Sequence, residues 1–320
     1  MVACRMNDKV YEHLPVLLDE AVAGLAIRPD GIYVDGTFGR GGHARAVLEQ
    51  LGSQGRLYAF DKDPEAVTHA RHFFATDKRF VIFHRSFAEL QLVLQQVAVF
   101  GRVDGILLDL GVSSPQLDNP ERGFSFSRKG KLDMRMDISQ GQDAMTWLAT
   151  VDEKELADIL WLYGEERFSR RIAKAIVYAR QQGEITTTEQ LAAIVARAVP
   201  KHQPGKHSAT RSFQAIRIYI NQELVELRAG LQQAFDALAP GGRLAVISFH
   251  SLEDRQVKQF IQKYERGELE DHVPFDLPIK PQPFSPRLKR VGALIKSSEQ
   301  EIAKNPRARS ATLRIAEKLS

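Results

Sequence analysis

Short β-branched or aromatic segments alternate with longer amphipathic segments from Gly31 to Phe249. This alternation is typical of a parallel sheet with crossover helices. The segments that predict strands are Ile32–Val34, Arg56–Phe60, Phe80–Phe83, Gly105–Leu108 and Arg243–Ser248. The helices predicted between the first four strands are His43–Leu51, Pro64–Phe74 and Phe87–Val99. We therefore expect an α/β fold with a Rossmann-like, doubly wound sheet.

A long loop and a series of helices interrupt this alternation. Gly111–Ile138 is rich in glycine, proline, serine and charged residues, which indicates a long loop. Three helix-like segments follow it without a strand between them, at Ala144–Leu162, Arg167–Arg180 and Thr188–Val199. We therefore predict a mainly helical domain at residues 139–211. It is inserted into a discontinuous domain that comprises residues 1–138 and 212–320.

The parallel pattern returns after this insertion. A long helix is predicted at Phe213–Leu238, because apolar residues recur there at helical spacing, and the fifth strand follows it. Two β-rich segments in the tail, Leu294–Lys296 and Thr312–Ile315, are expected to pair as antiparallel strands at the edge of the sheet.

Composition limits the kinds of protein that the chain can be. Its 320 residues are 43% hydrophobic and 26% charged, and the net charge of +4 says little about partners. Cys4 is the single cysteine, and no cluster of cysteine and histidine has zinc spacing, so no metal site is predicted. No apolar run approaches the roughly 20 residues of a membrane helix. We expect a soluble, cytoplasmic protein without a membrane partner.

The segment Val34–His43, VDGTFGRGGH, follows the first strand with four glycines and indicates a ligand that approaches the backbone closely. A nucleotide triphosphate is excluded, because a P-loop would continue from Gly42 with lysine. A dinucleotide fits weakly, since Gly39–Ala44 matches G-x-G-x-x-A and Asp61 lies 20 positions after Gly41.

Asp35, at the end of the first strand, distinguishes between a dinucleotide and S-adenosylmethionine as the ligand. A carboxylate there would repel a pyrophosphate by about 1 kcal/mol or more, but it would attract a sulfonium and an ammonium group. Asp61, at the end of the second strand, would accept hydrogen bonds from ribose hydroxyls. We therefore predict S-adenosylmethionine as the cofactor. The loop residues predicted to contact its methionine part are Gly39, Gly41, Gly42 and His43.

The ends of the third and fourth strands add two candidates. Phe87 either stacks on the adenine or packs as an ordinary core residue. Asp109 lies at the edge of the sheet where a methyl acceptor is expected. An exocyclic amine on a base is a poor nucleophile because its lone pair is delocalised, and acceptors for its N–H groups would localise that pair for in-line attack. The residues expected to turn over the cofactor are Ser113, Ser114, Pro115 and Gln116.

The cysteine content excludes one kind of methylation. Transfer to carbon 5 of a pyrimidine needs a covalent thiolate adduct, and Cys4 lies outside the predicted sheet. An amine or hydroxyl acceptor is favoured. His250 and Glu253, just beyond the fifth strand, either contact the substrate or belong to a helix start that Ser251 caps.

Three basic segments favour a nucleic acid as the large substrate. Glu121–Asp137 alternates phenylalanines with basic residues, a mixture that stacks bases and pairs with phosphates. Lys201–Arg217 and Asn305–Arg314 are basic and contain no acidic residue. The predicted RNA contacts are Arg122, Phe124, Phe126, Arg128, Lys129, Arg135, Lys206, Arg211, Arg307 and Arg309.

Nine ordered blocks give the chain a resemblance to a known family. They are HLPVLLDEAV at His13–Val22, VDGTFGRGGH at Val34–His43, FDKDP at Phe60–Pro64, DGILLDLGVSSPQLD at Asp104–Asp118, RGFSFSRKGKLDMRMD at Arg122–Asp137, YGEERFSRRIAKAI at Tyr163–Ile176, ATRSFQAIRIYIN at Ala209–Asn221, SFHSLEDR at Ser248–Arg255 and NPRARSA at Asn305–Ala311. Over nearly the whole chain they resemble the bacterial 16S rRNA (cytosine-N4)-methyltransferase family, also called RsmH or MraW.

The resemblance implies a class I S-adenosylmethionine-dependent methyltransferase fold with an inserted helical substrate domain. It also implies N4-methylation of a cytidine in the decoding centre of 16S rRNA, within a small ribosomal subunit particle, which tunes the ribosomal P-site. By position in the matching motifs, the family's cofactor contacts fall on Gly41, Gly42, His43, Asp61, Phe87, Asp109 and Gln116.

Two other functions stay open at this point. A nicotinamide-dependent oxidoreductase is compatible with the G-x-G-x-x-A match alone. A ribosome-assembly factor that binds RNA and keeps a silent cofactor pocket is compatible with the basic segments. Protein partners and a general base are not indicated by the sequence.

Overall fold

A computed structural model describes residues 15–200, 207–266 and 284–319. Its α-helices are α1 Leu18–Leu25, α2 Gly42–Gln50, α3 Pro64–Phe73, α4 Leu90–Gln96, α5 Ser114–Asp118, α6 Ala144–Thr150, α7 Glu153–Gly164, α8 Ser169–Gln182, α9 Thr188–Ala198, α10 Thr210–Ile220, α11 Glu223–Ala237, α12 Ser251–Arg266 and α13 Glu299–Lys304. Its strands are β1 Ile32–Asp35, β2 Arg56–Asp61, β3 Phe80–His84, β4 Val103–Asp109, β5 Leu238–Ser248, β6 Leu288–Arg290, β7 Ile295–Lys296 and β8 Thr312–Lys318.

The strands form one mixed sheet in the order β3-β2-β1-β4-β5-β8-β6, and β7 also pairs with β8. β1 to β5 run parallel, while β8 pairs antiparallel with β5, β6 and β7. The chain order reverses direction at β1, which is the switch point where open α/β sheets bind their ligands. The predicted doubly wound fold and antiparallel tail strands are confirmed. β6 was not predicted, because three residues with two basic side chains give too weak a strand pattern.

Alternating side chains of the strands enter two apolar cores, one on each face of the sheet. Tyr33 and Leu107 pack with α1, α2 and α3 on one face. Val34, Ile106 and Leu108 pack with α4, α11 and α12 on the other. Both faces of the central strands are therefore buried from solvent, as is usual for parallel sheets.

A third core belongs to the helical region. It joins α6 to α10 through buried leucines, isoleucines and Trp147. Phe124 and Met134 from the long loop, and Phe213 and Ile216 from α10, are part of the same core. These four residues lie outside the predicted limits of the insertion, and the limits at 139 and 211 stay a prediction.

Two helices that the sequence predicts as continuous are each divided. Ala144–Leu162 breaks where Asp152 caps α7, accepting backbone N–H bonds from Lys154 and Glu155. The long helix predicted from Phe213 is divided into α10 and α11 at Gln222, whose φ is 51°. Hydrophobic spacing continues across both breaks, which is why it could not reveal them.

Asn221 holds the second break in place. Its side-chain amide donates to the carbonyl of Met134 at 2.7 Å, and its Oδ1 accepts from the N–H of Met136 at 2.7 Å. The side chain is 6% exposed. The break between α10 and α11 is thereby fastened to the long loop that follows β4.

A buried ion pair anchors the same loop to the parallel sheet. Nη1 of Arg122 lies 2.9 Å from Oδ2 of Asp63, and its Nη2 donates to the carbonyls of Arg135 and Met136. Arg122 is 4% exposed and Phe124 is 6% exposed. The prediction that these two residues contact RNA is therefore wrong, because their side chains are buried within the protein.

Substitution of Arg122 tests this anchor. Arg122→Ala would leave Asp63 as a buried carboxylate without its cationic partner, which costs about 3 to 5 kcal/mol of unfolding free energy. Arg128→Ala, at an exposed arginine of the same loop, is the matched control and should change stability by less than about 0.5 kcal/mol. Urea denaturation measures both, and equal losses for the two variants would contradict the anchor.

Candidate active site

A cavity of about 390 Å³ lies at the carboxyl ends of the parallel strands. β1, β2 and β4, which are neighbours in the sheet, each end on an aspartate: Asp35, Asp61 and Asp109. Asp61 and Asp109 line the cavity, whereas Asp35 is 2% exposed and lies outside the lining. Three carboxyl groups therefore meet at one edge of the sheet, as the sequence predicts.

The glycine loop forms one wall of this cavity. Gly39 has a φ of 56°, and a Cβ placed on it would meet no atom closer than 3.9 Å, so its missing side chain leaves room on the cavity side. Its N–H donates to Oδ2 of Asp61 at 2.7 Å. Gly41 precedes α2 with a φ of 75°, but it does not line the cavity, because it packs on the ring of Phe38.

Asp35 and Asp109 each have an oxygen without a hydrogen-bond partner. Oδ2 of Asp35 and Oδ1 of Asp109 are both buried, and Oδ1 of Asp35 accepts only a 3.1 Å bond from the N–H of Thr37. Burial raises the pKa of Asp35 to about 7, and the charge of Asp61 adds to the rise. Burial, together with the charges of Asp35 and Glu253, raises the pKa of Asp109 well above its usual value.

His43 lies beside Asp109. Its Nδ1 is 3.7 Å from Oδ2 of Asp109, and its Nε2 lies 3.2 Å from the carbonyl of Val16. The imidazole is 6% exposed and lines the cavity. The structure thus brings together the two residues that the sequence places at the ends of β4 and of the glycine loop.

Asp61 has lone pairs left that can accept further hydrogen bonds. Its two oxygens each accept one backbone N–H, from Gly39 at 2.7 Å and from Asp63 at 2.8 Å. A carboxylate offers about four lone pairs, so two remain for hydroxyl donors. Burial raises the pKa of Asp61 to about 6 against these bonds.

Phe87 and Gln116, two further residues predicted to contact the cofactor, also line the cavity. Phe87 follows β3, lines the cavity and packs against Gly230, where a Cβ would lie 2.3 Å from its ring. Gln116 is 5% exposed; its amide donates to Asp63 at 2.7 Å and its oxygen accepts from the N–H of Ser113 at 2.9 Å. Its polar groups therefore hold the loop after β4, and its cofactor contact stays a prediction.

The predicted acceptor loop begins α5. Ser113 and Ser114 line the cavity, and Pro115 does not. Pro115 is placed in the first turn of α5, where its missing N–H needs no partner. The two serines therefore remain candidates for contacts with the methyl acceptor.

Other lining residues were not predicted as a site. Arg217 of α10 forms two 2.8 Å bonds with the carboxylate of Glu223 in α11, and Lys62 lies 2.8 Å from Oε2 of Glu226. In one continuous helix, side chains six residues apart point roughly 120° away from each other. The pair with Glu223 forms only because the helix breaks, so spacing gave no signal for it.

The segment after β5 is predicted either to contact the substrate or to form a helix start, and the structure shows a helix start that also reaches the cavity. Oε2 of Glu253 accepts from the N–H groups of Phe249 and His250, and Nδ1 of His250 accepts from the N–H of Glu253. Capping by Ser251 is wrong, because Ser251 is the first residue of α12 and the preceding His250 accepts the N–H of Glu253; the hydroxyl of Ser251 donates to Glu165. Glu253 also lines the cavity, and His250 and Arg217 lower its pKa against the effect of burial, which raises it.

Glu223, His250 and Glu253 place possible metal ligands within 4.8 Å of one another. Both oxygens of Glu223 already accept hydrogen bonds from Arg217. A guanidinium group therefore supplies the positive charge that this cluster requires.

The predicted RNA contacts that are not buried differ in whether their side chains already have partners within the protein. Arg135 is paired with Asp133, Phe126 stacks on His207 at 4.5 Å, and Arg211 donates to the carbonyl of Glu165. The exposed ones are Arg128, Lys129, Arg307 and Arg309. Arg307 lines the cavity and pairs with Asp118. Lys206 lies outside the described residues.

Within residues 15–200, 207–266 and 284–319, no helix has the length and apolarity needed to span a membrane.

The profile of the MraW methylase family matches residues 10–319. The chain belongs to the MraW methylase family. A relative from Coxiella burnetii named Ribosomal RNA small subunit methyltransferase H is 57% identical over 308 residues, 96% of this chain and 99% of the relative. A relative of the same name from Legionella pneumophila is 56% identical over 309 residues, 97% and 99% of the two chains.

Membership of the MraW methylase family identifies the kind of cofactor that the cavity must accept. The methyl donor is S-adenosylmethionine, and the chain is an S-adenosylmethionine-dependent methyltransferase of class I fold. The cavity suits this cation: it is lined by Asp109, which has an unpartnered carboxylate oxygen, by Gly39, whose missing side chain leaves room, and by Asp61, which has spare acceptors. The oxidoreductase hypothesis is wrong.

Substitution of Asp35 separates stability from cofactor binding. With a folded pKa of about 7 against a usual 3.8, the folded protein binds more protons between these values, so Asp35 lowers stability as pH rises through 7. Asp35→Asn should therefore raise the unfolding free energy at pH 8 by up to about 4 kcal/mol, and at pH 5, where the folded carboxyl group is still protonated, by less than half as much.

The same variant should bind S-adenosylmethionine more weakly at pH 8, because the buried negative charge is gone. Thermal unfolding at both pH values and calorimetric titration measure the two effects. Asp77→Asn is the control, because the pKa of Asp77 is lowered by its bonds with Arg79 and the sign of its effect is reversed. A stability loss for Asp35→Asn at pH 8 would contradict the account.

Proposed function

We propose that this protein transfers a methyl group from S-adenosylmethionine to the exocyclic N4 amine of a cytidine in 16S rRNA. The target is a nucleotide of the decoding centre, where the added methyl group tunes the ribosomal P-site. Relatives more than 50% identical carry the name Ribosomal RNA small subunit methyltransferase H. The nine sequence blocks that resemble the cytosine-N4 family support the choice of base and atom.

The observation that carries the proposal is the meeting of Asp35, Asp61 and Asp109 at the ends of three adjacent strands. Asp61 would accept hydrogen bonds from the ribose hydroxyls, and the buried Asp35, which does not line the cavity, would attract the cation through its charge without direct contact. When bound, the donor supplies a methyl group on a positively charged sulfur. The further residues proposed to hold it are Gly39, Gly41, Gly42, His43, Phe87 and Gln116.

Asp109 would act on the acceptor. A positive charge in the cavity favours the ionised form of this carboxyl group. Its unpartnered Oδ1 can then accept an N–H of the target amine and localise the nitrogen lone pair. Because burial raises its pKa, the same group can also hold the proton that the amine must lose. Ser113 and Ser114 are the neighbouring loop residues proposed to position the base.

The RNA surface is proposed to use exposed basic residues, of which Arg307 lines the cavity. Arg307 and Arg309 lie in the C-terminal segment of the chain, and Arg128 and Lys129 lie in the long loop after β4. Side chains of this kind bind phosphates and weaken binding strongly as salt rises. We propose a small ribosomal subunit particle as the substrate, and a cytoplasmic location follows from it.

Methyl transfer can be tested directly. The protein is incubated with labelled S-adenosylmethionine and small ribosomal subunits that lack the modification, and the RNA is digested to nucleosides. The account predicts label on N4 of cytidine. Label on carbon 5, on a sugar or on ribosomal protein would contradict it.

Asp109→Asn separates a catalyst from an assembly factor with a silent pocket. The variant keeps the size of the side chain but cannot act as a charged acceptor, so we expect turnover to fall about 100-fold or more. Binding to small subunits should stay within about twofold. Ser114→Ala, at a neighbouring loop residue, is the control, and its turnover should fall less than that of Asp109→Asn. Unchanged turnover in Asp109→Asn would show that this carboxylate does not act on the amine.

A further inference from the structure

A second groove lies outside the active-site cavity. Helix α7 contributes Trp161 and Leu162 to it, and its other lining residues are Glu165, Arg167, Arg211, Leu252 and Arg255. It is a shallow depression between the helical region and the first turn of α12. The proposed function assigns no role to it.

The groove exposes a large apolar surface. Trp161 is 57% exposed and Leu162 is 58% exposed, whereas the other tryptophan of the chain, Trp147, is 5% exposed. An indole left in water with a leucine beside it indicates a surface that a partner covers. Because Trp161 follows a buried Leu160 in a helix, its outward position is set by the helix and not by a loop.

Arginines surround this apolar surface. Arg255 lies 3.0 Å from Oε1 of Glu165, and Arg211 donates to the carbonyl of Glu165 at 3.2 Å. Ser251 donates to the second carboxylate oxygen of Glu165. Glu165 thus holds two arginines at one side of the groove, and its single negative charge is outnumbered by Arg167, Arg211 and Arg255. The exposed acid nearest along α7 is Asp158, one turn before Leu162.

The groove and the active-site cavity share two elements. In the first turn of α12, Glu253 lines the cavity while Leu252 and Arg255 line the groove. In α10, Arg217 lines the cavity and Arg211 lines the groove. Six residues of helix span about 9 Å. An extended strand with one nucleotide in the cavity therefore has the groove beside it.

We propose that the groove binds the base of a nucleotide that flanks the target in single-stranded RNA. The inference rests on the proposed function. The indole of Trp161 stacks on the base, and Arg167 and Arg255 contact the adjacent phosphates. Aromatic stacking beside basic side chains is the mode by which proteins hold unpaired RNA. The excess of arginine favours a polyanion over a protein or a second copy of the chain as the occupant.

Kinetics with small ribosomal subunits test the subsite. Loss of a stacked base by alanine substitution lowers affinity about 5- to 150-fold, so Trp161→Ala should raise KM for the subunit within this range. Its kcat and its calorimetric affinity for S-adenosylmethionine should stay within twofold. Trp161→Phe should restore most of the KM. An unchanged KM in Trp161→Ala would overturn the proposal.

A matched pair of leucines controls for the loss of exposed apolar surface. Leu162→Ala, in the groove, should raise KM, whereas Leu92→Ala should not; Leu92 is 51% exposed on α4 and does not line the groove. Equal effects would overturn the subsite. If the unaltered protein methylates the subunit and only the Trp161 prediction fails, the proposed function stands and this inference does not.

Crosslinking identifies the occupant even without turnover. A photoreactive phenylalanine placed at position 161 is irradiated with the full chain bound to small subunits. The expected product is a crosslink to 16S rRNA within a few nucleotides of the methylated cytidine. A crosslink to a ribosomal protein, to a second copy of the chain or to distant RNA would overturn the proposal.

Discussion

Three carboxyl groups at the ends of adjacent parallel strands are the constraint on which the rest of this structure depends. Asp35, Asp61 and Asp109 follow apolar strand residues and are carried by the sheet to one edge. Burial makes ionisation of each costly, and the pKa of Asp35 is raised to about 7. A site built this way is unfavourable for phosphate and favourable for a cation.

The surrounding structure keeps these groups buried while leaving the cavity open to a large substrate. The glycine loop brings the backbone N–H of Gly39 to Asp61 and the imidazole of His43 to Asp109. The ion pair of Arg122 with Asp63 and the bonds of Asn221 fasten the long loop to the sheet and to the helix break. The helical core packs on this same loop and on α10, so Arg217 of α10 lines the same cavity as Asp61 and Asp109.

Much of the fold and the placement of the strand-end aspartates could be predicted from the sequence, because both depend on local patterns. Strand periodicity gives β1 to β5, and the carboxyl-edge rule places Asp61 and Asp109 together. The substrate side could not be predicted in the same way. Arg122 and Phe124 have the spacing of an exposed RNA-binding loop, yet they are buried. Arg217 meets Glu223 only because of a helix break, which hydrophobic spacing does not reveal.

Proton release on cofactor binding tests the central claim most directly. At pH 7 Asp35 is about half protonated, and a sulfonium brought near it should drive the proton off. Calorimetric titration in phosphate and in Tris, whose ionisation enthalpies differ, counts the protons released. The account predicts release with S-adenosylmethionine, less with S-adenosylhomocysteine, whose sulfur is neutral, and a reduced difference in Asp35→Asn. Equal proton release for the two ligands would contradict it.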